Sequence, residues 1–69
     1  MEDPQVTVVI PTRNRLRLLQ STAASVLHQE VPLELVVVDE ASDDGTAAWL
    51  GSLGDERVRI VRHDRPAGV

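Results

Sequence analysis

Three short runs of aliphatic residues divide the chain, at residues 6–10, 35–38 and 58–61. The first two runs are nearly continuous in valine, leucine and isoleucine rather than alternating between apolar and polar positions. Continuous apolar runs of this length are typical of strands that are buried on both faces, as in a parallel sheet. The pattern therefore predicts three strands, of which the first two are buried on both faces.

A stretch with helical spacing separates the first two strands, at about residues 16–28. We expect Asn14 to cap its N-terminus, and Pro32 lies just beyond its end. One apolar stripe would face the sheet. Its members are Leu16, Leu19, Ala23, Val26 and Leu27.

A second helix is predicted at about residues 46–53, between the last two strands. Asp43 or Asp44 would cap its N-terminus, and Gly54 would end it. The side chains expected to face the sheet are Ala47, Leu50 and Leu53.

Strands and helices alternate, which predicts an α/β fold: a Rossmann-like βαβαβ unit with a parallel three-stranded sheet. Ligands of such sheets bind outside the carboxyl ends of the strands. The loops at residues 11–15, 39–45 and 63–68 would lie side by side at that edge. One sheet edge would remain unpaired, which favours self-association, and we interpret the chain as truncated before a further helix.

Composition limits the classes of function. With 69 residues the chain forms one small domain at most, and its lack of cysteine excludes disulfides and thiolate metal sites. Its net charge of -4 argues against nucleic acid or an anionic membrane as the main partner. No apolar segment approaches the roughly 20 residues that span a bilayer, and the acidic N-terminus does not resemble a secretion signal. We expect a cytoplasmic protein, with any membrane association left to sequence outside these residues.

Asp39 follows the central apolar run, where a rigid backbone would hold its side chain at the edge of the sheet. A carboxylate at this position is able to accept hydrogen bonds from the ring N–H of uracil or from ribose hydroxyls. On position alone, an equally good interpretation is that Asp39 ends the strand and accepts hydrogen bonds from loop amides.

Further acidic residues follow Asp39 at positions 40, 43 and 44. One interpretation is a metal site, because hard cations prefer carboxylate oxygens. Helix capping is favoured, because Asp43 and Asp44 directly precede a helix and the spacing does not fit a calcium-binding loop. Residues 43–46 also resemble the nucleophile motif of haloacid-dehalogenase-like phosphatases, with Ser42 in place of its first Asp. A phosphatase-like α/β domain is therefore the lowest-ranked alternative.

Arg13 and Arg15 lie in the turn that leads into the first helix. Free N–H groups at a helix start attract anions, and an arginine adds charge-assisted hydrogen bonds to a diphosphate. A capping loop with solvated arginines explains the same residues. The sequence has neither a Gly-x-Gly-x-x-Gly loop nor a glycine-rich phosphate loop with lysine, which disfavours dinucleotide and nucleoside-triphosphate folds.

Four segments carry a family resemblance when they are taken in order. Residues 6–15 look like an opening strand with a Pro-Thr-x-Asn turn, and residues 18–29 look like a helix that ends in Ser-Val-Leu-x-Gln. Residues 34–46 are similar to a Val-Val-Asp-Asp-Gly-Ser-x-Asp-Gly-Thr signature, and residues 59–62 with Gly68 match a third strand and a following helix start. Together they resemble the N-terminal, nucleotide-sugar-binding portion of glycosyltransferase family 2, which has the GT-A fold. Residues 1–5 would be a tail, and residues 6–69 part of that domain.

The resemblance implies transfer of a sugar from a nucleotide-diphosphate sugar, most often a UDP-sugar, to an acceptor. Asp39 would contact the base. The family usually has Asp where this chain has Glu40 and Gly where it has Ala41, and alanine restricts the backbone that glycine leaves free. The residues that would line the nucleotide pocket are Pro11, Thr12, Arg13, Asp39 and Glu40.

The family also implies a divalent metal, Mg²⁺ or Mn²⁺, held by an Asp-x-Asp motif after a later strand, and a catalytic base that comes later still. Neither lies within these residues, so we assign them no catalytic residue and no metal ligand. We expect the isolated chain to be catalytically incompetent. The alternative function is that of a non-catalytic remnant that binds nucleotide or self-associates.

Overall fold

The computed structural model describes residues 4–65 of the chain. The elements follow in the predicted order, as β1 (Val6–Thr12), α1 (Leu16–Leu27), β2 (Leu33–Glu40), α2 (Thr46–Ser52) and β3 (Val58–His63). The prediction of an α/β fold with a βαβαβ order is therefore confirmed. Gly68, the predicted start of another helix, and the first three residues of the predicted tail lie outside the described residues.

The three strands form a parallel sheet in the order β1-β2-β3, so that β2 is central. The register places Ile10 beside Val37 and Val37 beside Ile60. Within residues 4–65, β1 and β3 each pair with β2 alone. This part of the sheet therefore has two unpaired edges, whereas we expected one.

Both helices pack against the same face of the sheet. Along β2, fully buried residues alternate with partly buried ones, as expected for a strand with one face covered. The prediction that β1 and β2 are buried on both faces is wrong, because two right-handed crossovers in the same direction place both helices on one side. The buried core consists of Leu19, Ala23, Leu35, Val37 and Leu50.

The opposite face of the sheet carries apolar residues that neither α1 nor α2 covers. Val9 is 59% exposed, Val61 is also exposed, and Val36 and Val38 are partly buried. We refer to Val9, Val36, Val38 and Val61 as the open face. An ion pair between Glu34 and Arg59, 3.6 Å apart, lies on the same side of the sheet. Since the open face lies on the two outer strands as well as the central one, it continues across the sheet.

The strands extend further toward their carboxyl ends than the apolar runs do. β1 continues through Pro11 and Thr12, and β3 continues through Arg62 and His63. β2 likewise continues through Asp39 and Glu40. The prediction that Pro11, Thr12, Asp39, Glu40 and His63 follow their strands is therefore wrong. Parallel pairing with β2 extends the ladder past the apolar residues, and a proline is tolerated in β1 because it is an edge strand here.

The helices differ from the predictions at a few positions. Helix α1 ends one residue earlier than predicted, and α2 ends at Ser52 with Leu53 as its C-cap. Leu50 is buried, but Ala47 is exposed, so its prediction as a sheet-facing residue is wrong. Thr46 and Leu50, one turn apart, form the buried side of α2 and leave Ala47 outside it. Neither helix of the described range is long and apolar enough to cross a membrane.

The loop between β2 and α2 begins with a left-handed residue. Ala41 has a φ of 58°, although it carries a side chain. This conformation costs an L-residue about 1–2 kcal/mol, and glycine adopts it freely. Alanine at this position, where the family that the sequence resembles usually has glycine, therefore keeps the turn but strains it.

We expect Ala41→Gly to raise the free energy of unfolding by about 1 kcal/mol, because it removes the penalty of the left-handed backbone. Ala24→Gly is the matched control, since Ala24 is exposed within the right-handed backbone of α1. That change should lower the free energy of unfolding by about 1 kcal/mol. Urea denaturation of both variants measures the two effects. If both variants lose stability, the strain at Ala41 is not the dominant effect there.

Candidate functional site

Three polar residues from three strands lie side by side at the carboxyl edge of the sheet. Thr12 of β1 is in register with Asp39 of β2, and Asp39 is in register with Arg62 of β3. Because strand residues alternate between faces, this row lies on the same side as the helices. Thr12 and Asp39, both predicted as site residues, are therefore brought together, and Arg62 joins them.

The carboxylate of Asp39 is buried, and each of its two oxygens accepts a hydrogen bond. Its side chain is 0% exposed, and its Oδ1 accepts a hydrogen bond from the backbone N–H of Ser42 at 3.1 Å. Its Oδ2 accepts from Nη1 of Arg62 at 2.6 Å, and Nη2 of Arg62 donates to the carbonyl oxygen of Ser42 at 3.2 Å. The guanidinium thus joins β3 both to the end of β2 and to the loop that follows it.

The remaining predicted site residues lie elsewhere along this edge. Pro11 and Glu40 are one position away from Thr12 and Asp39, so they belong to the opposite side of the sheet. Glu40 Oε1 lies 2.8 Å from Nδ1 of His63. Arg13 is exposed in the turn after β1. The structure therefore divides the predicted site residues between the two faces of the sheet.

Asn14 joins the loop after β1 to the loop after β2. Its backbone N–H donates to Oγ of Ser42 at 2.9 Å, and its Oδ1 accepts from the backbone N–H of Asp43 at 2.8 Å. The prediction that Asn14 caps α1 is wrong, because its side chain is committed to this contact and Arg15 occupies the N-cap position. Asn14 adopts a φ of 51°, a left-handed conformation that asparagine tolerates better than most residues.

Asp44 serves the first turns of both helices. Its Oδ2 accepts from the N–H of Leu16 at 3.0 Å, and its Oδ1 accepts from the N–H of Thr46 at 3.2 Å and from the Thr46 hydroxyl at 2.5 Å. The Thr46 hydroxyl, with the N–H groups of Leu16 and Thr46, lowers the pKa of Asp44 below its usual value. Gly45 occupies the N-cap position of α2, so the prediction that Asp43 or Asp44 caps this helix is wrong in position. Asp44 lies just before the cap and still accepts the N–H of Thr46, the first residue of α2.

In the acidic turn, Asp44 accepts hydrogen bonds from amides at the starts of both helices. Within residues 4–65, the structure has no group of three or more Asp, Glu or His side chains that could hold a metal ion. The phosphatase alternative would need its acidic nucleophile at the carboxyl edge of the sheet, where ligands of parallel sheets bind. Asp43 instead lies three residues after the end of β2, on an exposed turn.

Arg62 and Ser42 are the site residues that the sequence reasoning missed. Arg62 was overlooked because the predicted third strand ended at Val61, before the polar residues. The signal was available in the parallel order, since aligning residues 35–39 with 58–62 sets Arg62 beside Asp39. Ser42 gave no comparable signal, because its contacts depend on the shape of two loops.

A shallow groove of about 590 Å³ adjoins these loops at the start of α1. Arg15 and Arg17 contribute basic side chains to it, and Asp44 forms part of its wall. The other lining residues are Asn14, Leu16 and Leu18.

Comparisons with known proteins agree with one another. The family model for glycosyl transferase family 2 matches residues 7–69. The succinoglycan biosynthesis protein ExoO of Rhizobium meliloti is 39% identical over 66 residues, which is 94% of this chain and 19% of the relative. The putative teichuronic acid biosynthesis glycosyltransferase TuaG of Bacillus subtilis is 35% identical over 69 residues, 96% of this chain and 27% of the relative.

A solved structure is similar over the whole chain. The mannosyltransferase PcManGT from Pyrobaculum calidifontis, in complex with GDP-Man and Mn²⁺, superposes with a TM-score of 0.77 at 33% identity. The alignment covers 100% of this chain and 22% of that protein. The chain spans between 8% and 27% of the curated relatives it matches.

Asp44→Asn should lower the melting temperature at neutral pH, because a single amide oxygen replaces two acceptors that serve two helices. The pKa of Asp44 is lowered on folding, so its stabilisation is present above the unfolded pKa near 3.8 and is lost as the pH falls through the folded value. The difference between variant and wild type should therefore shrink below about pH 4.

Asp43→Asn is the matched control for this experiment, because Asp43 contributes its backbone N–H to the loop contact. Thermal melts of both variants between neutral and acid pH provide the test. A deficit of Asp44→Asn that stays constant into strong acid would contradict the role of the carboxylate charge.

Proposed function

Because the chain belongs to glycosyl transferase family 2, we propose that it recognises the nucleotide of a nucleotide-diphosphate sugar at the carboxyl edge of its sheet. The proposed activity of the protein is transfer of the sugar from this donor to an acceptor. Support comes from the fold, since parallel sheets bind ligands at this edge. The similar mannosyltransferase was solved with GDP-Man and Mn²⁺.

The observation that carries the proposal is the row formed by Thr12, Asp39 and Arg62. It sets a hydroxyl, a carboxylate and a guanidinium next to one another on three adjacent strands. Uracil and guanine each have N–H donors and carbonyl acceptors, so their recognition requires acceptors and donors at one place. We assign the base to this row, with Asp39 as a recognition residue, and expect uracil as the base and guanine as its competitor.

The diphosphate is assigned to the loop after β1. Arg13 lies exposed there, and Arg15 lines the groove at the start of α1. Asp44 already accepts a hydrogen bond from the N–H of Leu16 at the start of α1, so this N–H is not available to an anion. Charge-assisted bonds from the arginines would therefore hold the phosphates. Pro11 and Glu40, on the other side of the sheet, remain proposed pocket residues of the same edge.

A divalent cation, Mg²⁺ or Mn²⁺, is proposed for the protein as a whole, in line with the Mn²⁺ in the similar mannosyltransferase. Residues 4–65 do not fit such an ion, because they bring no three carboxylate or imidazole side chains together. When bound, the ion would neutralise the charge of the departing nucleotide diphosphate. The role proposed for this chain is therefore donor recognition, and we expect residues 1–69 alone to transfer no sugar.

Asp39→Asn should weaken the binding of UDP by about tenfold or more, because a neutral amide holds Arg62 and the N–H of Ser42 less strongly than the carboxylate does and so loosens the row. Isothermal titration of the purified protein with UDP and with GDP measures the loss. Glu34→Gln is the matched control, since Glu34 is another carboxylate of β2 but pairs with Arg59 on the opposite side. Equal affinities for wild type and Asp39→Asn, with both proteins folded by circular dichroism, would refute the assignment.

A second candidate function is self-association, which is favoured by the open face and by the two sheet edges that are unpaired within residues 4–65. Exposed apolar patches and unpaired strand edges are typical of association surfaces. Val9→Glu should shift the isolated chain toward monomer in sedimentation, because it places a charge on the open face. Val31→Glu is the matched control, as Val31 is 47% exposed outside that face. A wild-type chain that sediments as a monomer at high concentration excludes this candidate.

A further inference from the structure

Arg62 is the accessible member of the buried charge pair at the carboxyl edge. The Asp39 side chain is 0% exposed, whereas the Arg62 side chain is 39% exposed. A ligand that approaches this row therefore meets the guanidinium first. The carboxylate lies behind it, with one oxygen bonded to Arg62 and the other to the N–H of Ser42.

The contacts of Arg62 fix the orientation of its guanidinium. Nη1 donates to Asp39, and Nη2 donates to the carbonyl oxygen of Ser42. A guanidinium carries five N–H donors in a rigid plane, so three of them are left without a partner among the described residues. Since two anchors hold the plane, the unused donors point in fixed directions, which is the property that makes arginine selective for oxygen acceptors.

We propose that Arg62 is a specificity-determining residue that donates hydrogen bonds to a carbonyl oxygen of the nucleobase, with Asp39 holding its guanidinium in position. The inference rests on the proposed function and deepens it. It reassigns the direct contact with the base from the carboxylate to the guanidinium. Asp39 then acts through Arg62 as a positioning residue.

The base, rather than the diphosphate, is the part of the nucleotide assigned to Arg62. Arg62 lies on β3, two strands away from β1, and within residues 4–65 it meets the loop that carries Arg13 and Arg15 through Ser42 alone, which Asn14 also contacts. A free phosphate and a base carbonyl share the chemistry of an oxygen acceptor. The experiment must therefore separate these two sources.

The test combines a protein variant with a change of one atom in the ligand. Isothermal titration of the purified protein compares UDP with 4-thio-UDP, and GDP with 6-thio-GDP, because sulfur is a weaker acceptor than oxygen. Wild type should prefer the oxygen form of its base. Arg62→Ala should bind that nucleotide about tenfold to a hundredfold more weakly and should lose the preference for oxygen over sulfur. Binding of pyrophosphate, the phosphate-only probe, should not change.

Loss of the preference is a readout that a purely structural role of Arg62 would not produce. Arg62→Lys is the second variant if Arg62→Ala fails to fold, because the ammonium still neutralises Asp39 but lacks the planar fork. It should retain the fold and lose most of the preference.

The inference is overturned if a folded variant keeps the preference for oxygen over sulfur, binds the nucleotide more tightly than wild type, or loses the binding of pyrophosphate as well. If wild type bound neither UDP nor GDP, both the proposed function and the inference would be overturned. If wild type bound a nucleotide and this binding did not depend on Arg62, the inference alone would be overturned.

Discussion

The carboxylate of Asp39 lies buried at the end of the central strand, and a buried charge is stable only when it is paired and hydrogen-bonded. Arg62 supplies the countercharge from β3, and the N–H of Ser42 supplies a further hydrogen bond. These contacts hold β3 and the loop after β2 together at Asp39. The polar residues at the carboxyl end of β3 thereby remain part of the sheet, although they contribute nothing to the apolar core.

The two loops at this edge are held to each other by hydrogen bonds rather than by apolar packing. Asn14 exchanges hydrogen bonds with Ser42 and Asp43, and Asp44 accepts from the first turns of both α1 and α2. The core itself is small and lies on one face of the sheet, so it cannot position these loops. The geometry of the edge therefore depends on a few oxygen atoms, while the strands beneath it depend on aliphatic packing.

The order of the elements could be predicted because aliphatic runs and helical spacing are local properties of the sequence. The ends of β1 and β3 could not, because Pro11, Arg62 and His63 join their strands through pairing with β2, which lies far away along the chain. The cap of α1 was missed for a similar reason, since Asp44 reaches Leu16 across 28 positions. Strand residues alternate between the two faces of a sheet, so Pro11 and Glu40 lie on the opposite face from Thr12 and Asp39. This difference could have been predicted from the sequence.

The alternation of strand residues places one polar side-chain pair on each side of the edge. The Asp39–Arg62 pair lies on the helix side, and Glu40 and His63 lie within 2.8 Å of each other on the opposite side. Each pair sets an acceptor of β2 beside a nitrogen-bearing side chain of β3. An edge with this arrangement complements a ligand that carries donors and acceptors close together, whereas a uniformly basic edge would select for anionic charge alone. Under the proposed function, the buried Asp39 behind the exposed Arg62 would suit an acidic chain to recognise a base as well as the phosphates attached to it.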